Sequence, residues 1–287
     1  MKRLFVWSLV SFLSLIVLPV WALEPDFSIL KKQLIAQGLD EVYVSSIFSR
    51  PEVRFLPQIM PRRLLHNEYK LPYEKFLAPE RIERAQKFLE THRDLLTKLE
   101  NRYGVPKEIL VSIFLIETDL GRHPGKYRTF NVLASMALSA QWEKVRVYLP
   151  QEIPPAEEKR LKAYMRRRAR WAFKELCALL RLSKAQGWDP LAFKGSIFGA
   201  FGYPQFVPTS VVSFGVDWDQ DGRINLFSLG DALASMANYL AKHGWSKTSS
   251  TEQKLRVIKT YNHSQPYAET VLKVAEALKN ASLAERD

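Results

Sequence analysis

Glu117 closes an otherwise apolar run, PKEILVSIFLIETDL, from Pro106 to Leu120. Pro106 suits the first turn of a helix and Gly121 its stop, so Glu117 is expected in the last helical turn. Burial and the negative end of the helix dipole both disfavour a carboxylate there and push its pKa up. A glutamic acid still protonated near neutral pH is what general acid catalysis requires. The competing arrangement turns Glu117 outward to pair with Arg122 or Lys126. Asp119 falls on the other side of the helix, so it forms no working pair with Glu117. Standard glycoside hydrolysis uses two carboxylates flanking the bond, and this chain advertises one.

Three further segments carry chemistry. GSIFGAFGYPQFVPTS, Gly195 to Ser210, is too rich in glycine and proline for a regular helix and reads as a shaped loop lining a groove. In it, Gln205 offers an amide that can donate to and accept from a sugar, and Tyr203 and Phe206 offer flat faces. TYNHSQPY, Thr260 to Tyr267, clusters Tyr261, Asn262 and Tyr267 between two helices; a tyrosine there can orient a buried glutamate. DWDQDGRINLFSLGD puts Asp217, Asp219 and Asp221 at positions 1, 3 and 5 of an EF-hand-like loop, with Gly222 at the turn and Arg223 offering its carbonyl at position 7. Position 12 is Ser228 rather than a bidentate glutamate, but Asp231, at position 15, can close the shell. Oxygen donors at alternate positions suit Ca²⁺, in a structural role. The five histidines show no metal-ligand spacing, and no GxSxG or Cys–His signature stands out.

Helices must position these groups. Helical periodicity is expected over 26–37, 40–49, 79–102, 106–119, 130–139, 155–186, 229–243, 251–260 and 266–283. Residues 51–77 read as proline-punctuated and irregular, and 187–228 as loop-rich. The stretch 155–186 reads as one long basic helix or a helix pair, with Arg166, Arg167 and Arg168 in a row as a solvated face or as a contact for an anionic polymer. Strand signals are few, so the fold class is mainly α.

With 287 residues, 47% of them hydrophobic, the chain can bury a large core. A formal net charge of +12 implies polyanionic company: nucleic acid, anionic lipid or an acidic wall polymer. No RNP, zinc-finger or phosphate-loop pattern favours nucleic acid. Lys2 and Arg3 precede an uncharged stretch, Leu4 to Ala22, that ends in Val20-Trp21-Ala22. This is the pattern of a signal peptide over 1–22, and its length also suits a retained membrane anchor. Export removes nucleic acid as a partner. No cysteine lies near the site, so a lipid-modified terminus is not expected; the single Cys177 reads as core.

Taken together, RYGVPKEILVSIFLIETDLGRHPGKY, GSIFGAFGYPQFVPTS, VDWDQDGRINLFSLGDALASMANYLAKHGW and YNHSQPY, in that order, resemble the lytic murein transglycosylase B family, glycoside hydrolase family 103. The likeness covers most of the chain from about residue 40 onward. It implies a catalytic domain over 23–287: a lysozyme-like helical core from about 100 to 287, with an additional helical part over 23–100 and the EF-hand-like loop. By the same resemblance, Glu117 is the single acid/base that cleaves the MurNAc-β-1,4-GlcNAc bond of peptidoglycan without water, leaving 1,6-anhydromuramic ends. Ser196, Gln205, Tyr239, Tyr261 and Tyr267 would line or orient the glycan, beside Tyr203 and Asn262 from the reading above. Asp217, Asp219, Asp221, Arg223 and Asp231 would bind calcium. A periplasmic monomer acting on glycan strands is expected, held at the inner membrane if the leader is retained. The alternatives are a hydrolytic muramidase and a catalytically silent wall-binding protein.

Overall fold

The structure is a computed structural model that describes residues 27–61, 72–139, 142–246 and 248–284. The expected signal peptide lies outside the described residues. Within them the chain forms twelve α-helices, one 3₁₀ turn (Tyr73–Leu77) and two two-residue strands. No helix of the described residues is long and apolar enough to cross a membrane.

Local signals fix many of the helix ends. The Asp40 side chain accepts the Tyr43 amide at 2.7 Å and starts Glu41–Phe48. Ser250 and Gln253 form a reciprocal capping box on Thr251–Tyr261. Prolines open Pro79–Thr91, Pro155–Gln186 and Pro208–Phe214. Several elements differ from the sequence reading, among them the helix Trp142–Arg146 and the 3₁₀ turn Tyr73–Leu77, neither of which was expected. The stretch expected as one helix over 79–102 breaks at His92 into Pro79–Thr91 and Arg93–Tyr103. The Thr91 hydroxyl donates back to the Lys87 carbonyl at 2.7 Å there, a bond that bends helices. The loop-rich stretch 187–228 also contains a short helix, Pro208–Phe214, whose Thr209 amide is capped from elsewhere in the chain. Buried Glu175 of the long helix accepts from Thr209 N at 2.9 Å and Thr209 Oγ1 at 2.8 Å.

Two apolar cores organise the rest. One joins Pro79–Thr91, Arg93–Tyr103, Lys107–Thr118, Leu229–Lys242, Thr251–Tyr261 and Gln265–Ala284 around residues such as Leu99, Phe114, Met236 and Val271. Every residue from Ile109 to Leu115 is buried, so this helix is wrapped on all sides by its neighbours. The second core joins Ser28–Ala36, Glu41–Phe48, Thr129–Leu138 and the 32-residue helix Pro155–Gln186 around Leu34, Phe130, Leu133 and Leu176. Along the solvent side of that long helix the arginine run stacks on aromatic rings. The Arg167 and Arg168 guanidiniums each lie 5.4 Å from the Tyr164 ring centre.

A small cluster of Phe201, Phe206, Val211 and Leu226 links the cores, with Phe193 packed toward one and Tyr239 and Tyr261 toward the other. The two strands meet here, Tyr127 opposite Gly195 and Arg128 opposite Lys194. Their approach needs glycine. At Gly125, φ is +103° and an added Cβ would lie 2.1 Å from the Gly195 carbonyl oxygen.

Candidate active site

Helix Lys107–Thr118 delivers Glu117 half-buried in its last turn, as its sequence pattern requires. The chain then turns sharply. Asp119, Leu120 and Gly121 adopt φ of 53°, 58° and 85° in succession. For the two non-glycine residues this left-handed conformation costs about 1–2 kcal/mol each, and long-range contacts offset it. Asp119 sits between Arg84, at 2.7 Å, and Arg81, at 3.3 Å, both on helix Pro79–Thr91. Gly121 packs against the Tyr203 and Phe114 rings. The end of the helix that carries Glu117 is therefore anchored from a second helix and from the 195–210 loop.

Tyr267 completes the arrangement. Its hydroxyl donates to Glu117 Oε1 at 2.7 Å. The ring is 1% exposed and lies edge-on to Tyr73 at 6.0 Å. Burial, and then the Glu117 carboxylate, push the Tyr267 phenol well above its ordinary range, so it remains a proton-bearing donor. Tyr261 is raised for the same two reasons, burial first. A cleft of about 210 Å³ opens at Glu117, bordered by Tyr73, Lys75, Phe76, Ile116, Asn262 and Tyr267. Among these described residues Glu117 is the one carboxylate. Lys75 brings a cation to the rim, 5.0 Å from the Phe76 ring centre.

The remaining residues expected at the site divide by where they lie. Asn262 lines the cleft, and its Oδ1 also accepts the Ser264 amide at 3.2 Å. Tyr261, Tyr239, Ser196, Tyr203 and Gln205 build the adjoining wall. The Tyr261 hydroxyl donates to Pro204 O at 2.5 Å and Tyr239 to Thr260 O at 2.6 Å, their rings 5.0 Å apart. Ser196 Oγ accepts the amides of Phe198 and Ala200 at 3.2 and 3.3 Å. Gln205, at φ 50°, donates Nε2 to Pro124 O at 3.0 Å and Gly202 O at 2.8 Å. In this structure its amide nitrogen clamps the loop to the turn after Glu117. The Tyr203 ring packs on Phe114 at 5.4 Å.

Sequence reasoning missed Tyr73, Lys75 and Phe76, because prolines made 51–77 read as featureless; the aromatic pair at i and i+3 in YEKF was the available signal. It also missed Arg81 and Arg84, whose partner, Asp119, lies in the turn that follows another helix.

In the acidic loop, carboxylate oxygens of Asp217, Asp219 and Asp231 lie within 4.8 Å of one another. Asp231 is buried and accepts from Trp218 N at 2.9 Å and Asn225 N at 2.6 Å. Burial raises its carboxyl above the ordinary aspartate range, and Asp219 and Asp217 add to this against the two hydrogen bonds. Three converging carboxylates are a donor set that fits a hard divalent cation. Asp221 is not brought into the group; its Oδ1 accepts Arg223 N at 2.8 Å.

Comparison with known proteins bears directly on this arrangement. The family described as transglycosylase SLT domain matches residues 22–256. The chain belongs to this transglycosylase family. A curated relative, membrane-bound lytic murein transglycosylase B of Escherichia coli K12, is 34% identical over 174 residues, which is 61% of this chain and 41% of that protein. The match thus spans less than half of that relative's length. The Escherichia coli lytic transglycosylase SLT35, solved in complex with calcium, has a TM-score of 0.72 at 24% identity, covering 91% of this chain and 94% of that one. Soluble lytic transglycosylase SltB1 of Pseudomonas aeruginosa gives 0.72 at 25%, covering 90% and 99%. The fold is accordingly the mainly α, lysozyme-like fold of these transglycosylases.

Proposed function

We propose that this transglycosylase-family chain is a peptidoglycan lytic transglycosylase with Glu117 as its single acid/base. The observation that carries this reading is the lone carboxylate at the cleft, gripped by the Tyr267 hydroxyl. A hydrolase of the usual kind needs a second carboxylate to activate water or attack the sugar. An intramolecular nucleophile removes that need. Protonated Glu117 gives its proton to the glycosidic oxygen between N-acetylmuramic acid and N-acetylglucosamine, and the C1–O bond breaks. The resulting carboxylate takes the proton of the muramic C6 hydroxyl as that oxygen bonds to C1. Glu117 ends protonated again, no water is consumed, and a 1,6-anhydro end is formed. Tyr267 keeps the carboxyl oriented through both transfers. Asn262, Tyr261, Tyr239, Tyr203, Gln205 and Ser196 line or support the glycan path.

Ca²⁺ belongs to the acidic loop. Asp217, Asp219 and Asp231 would hold it, with the Arg223 carbonyl as a further oxygen donor. The ion would supply structural cross-linking there and no chemistry at Glu117. The partners are glycan strands on the periplasmic side. Mass spectrometry of peptidoglycan digested with residues 23–287 tests the reading. Products one water lighter than reducing muropeptides are expected; reducing ends would make the protein a muramidase, and no release at all a wall-binding protein.

A further inference from the structure

A groove of about 1050 Å³ runs along the long helix Pro155–Gln186, with Ser28–Ala36 on one side and Pro208–Phe214 on the other. The long helix lines it from Ala169 to Ala185, which is about 24 Å at the rise of an α-helix. The floor is apolar: Ala169, Phe173, Cys177, Ala178 and Leu182 line it, and Val212 beside them on the short helix is 63% exposed. Both sides are fixed to the floor. The Arg181 Nη2 donates to Gln37 O at 2.6 Å and the Tyr43 hydroxyl to Leu180 O at 3.1 Å, while Thr209 on the short helix donates to buried Glu175. The groove is therefore formed in advance, which lowers the cost of filling it. It shares no lining residue with the cleft at Glu117.

The edge of the groove carries one sign of charge. Lys159, Arg166, Arg170, Lys174 and Arg181 follow one another at helical spacing, so they share one face, and all five are exposed. Arg170, Lys174 and Arg181 line the groove, and no carboxylate does. None of the five enters an ion pair among the described residues. An apolar trough edged by cations complements a helix whose apolar side is flanked by acids. Other occupants match less of it. A bilayer is entered by apolar groups that protrude, whereas this floor is recessed. An anionic polymer would meet the cations and leave the apolar floor uncovered. A second copy of this chain, at a net charge of +12, would bring the same sign of charge.

We propose that this groove docks an acidic amphipathic helix of a partner protein. The apolar side of that helix lies on Phe173, Cys177, Leu182 and Val212, and its acids meet Arg170 and Lys174. Arg181 contributes charge while its guanidinium stays bonded to Gln37. The proposal stands on the groove alone and goes beyond the transglycosylase reading. Because groove and cleft have no lining residue in common, a docked helix leaves Glu117 free. The partner thus sets where the enzyme sits and does not enter its chemistry.

The test is fluorescence anisotropy of the full chain titrated into a labelled synthetic helix of about 18 residues, long enough to span the groove, with leucine and alanine on one side and glutamate on the other. Saturable binding is expected, weakened about tenfold by Arg170→Glu and by Lys174→Glu and about threefold by Val212→Ser. Ala178→Trp, which fills the floor without changing its charge, should abolish binding. Melting temperatures of Arg170→Glu and Val212→Ser are expected to be unchanged, since both side chains are exposed, and their cleavage of purified peptidoglycan should match the parent chain. A peptide of the same composition, scrambled so that neither side is apolar, should bind about tenfold more weakly. The proposal is overturned by absent binding, or by equal binding of the scrambled peptide or of the variants. It is also overturned if polyphosphate displaces the peptide at equal charge, which would mark a simple polyanion site, or if vesicles of phosphatidylglycerol displace it with the same dependence on Val212, which would mark a bilayer contact. Docking is read without cleavage, so a failure here leaves the activity reading standing, and the reverse.

Discussion

The carboxylate at the cleft and the carboxylates of the acidic loop are held in opposite ways. Glu117 is positioned by residues far along the chain: Tyr267 donates to it, Arg81 and Arg84 pin the following Asp119, and Tyr203 packs on Gly121. The acidic loop is held largely by its own backbone. Asp217 accepts the amides of Asp221 and Gly222, and Asp231 those of Trp218 and Asn225. The carboxylate proposed to move a proton is thus locked by tertiary structure, whereas the group suited to an ion is shaped by a local turn.

Breaking the long-range arrangement should have the largest effect on chemistry. Glu117→Gln is nearly isosteric and should lower glycan cleavage by about a thousandfold, the range that general acid–base catalysis supplies, while strand binding persists. Initial-rate assays on purified peptidoglycan check this, and strong residual activity would remove Glu117 from its role. Tyr267→Phe deletes only the donor to Glu117. A hydrogen bond to a charged group is worth about 1.5–3 kcal/mol, so cleavage should fall roughly tenfold to a hundredfold. A Phe variant with an unchanged rate would show that Tyr267 merely packs.

The local arrangement should respond in stability instead. Calcium at a hundred times its Kd should raise stability by about 2.7 kcal/mol through mass action, and chelation should remove it. Asp231→Asn should abolish that difference, and cleavage per folded molecule should change little. Melting curves with calcium and with chelator decide this; identical curves would mean that the loop holds no ion.

Glu175 sharpens the contrast most gently, because it is buried yet has one hydrogen-bond partner residue among the described residues, Thr209. Burial raises its carboxyl above the ordinary glutamate value. The folded state then keeps its proton to higher pH than the unfolded chain does. Stability from this group is present below the ordinary carboxylate range and is lost as pH rises through the raised value. Glu175→Gln should flatten that part of the stability-against-pH curve; an unaltered slope would assign it to other groups.

The same contrast explains what the sequence made legible. Spacing within a few residues exposed the acidic loop, the capped helices and the apolar run ending at Glu117. Position 15, Asp231, was readable because it follows the loop closely, in the first turn of Leu229–Lys242. Partners fixed by packing were harder. TYNHSQPY pointed to tyrosines near a glutamate, but only the fold selects Tyr267 as the donor, since its place follows from Gln265–Ala284 lying against Lys107–Thr118. The role of Gln205 as a clamp on Pro124 likewise depends on two loops meeting. Tyr73 and Phe76 left almost no trace because a 3₁₀ turn has no long period to read.

Digestion of peptidoglycan in water enriched in heavy oxygen tests the central claim most directly. The account predicts muramic ends that carry no heavy oxygen, formed by residues 23–287 and not by Glu117→Gln. Heavy oxygen at C1 of the released sugars would show that water, not the C6 hydroxyl, is the nucleophile, and would contradict it.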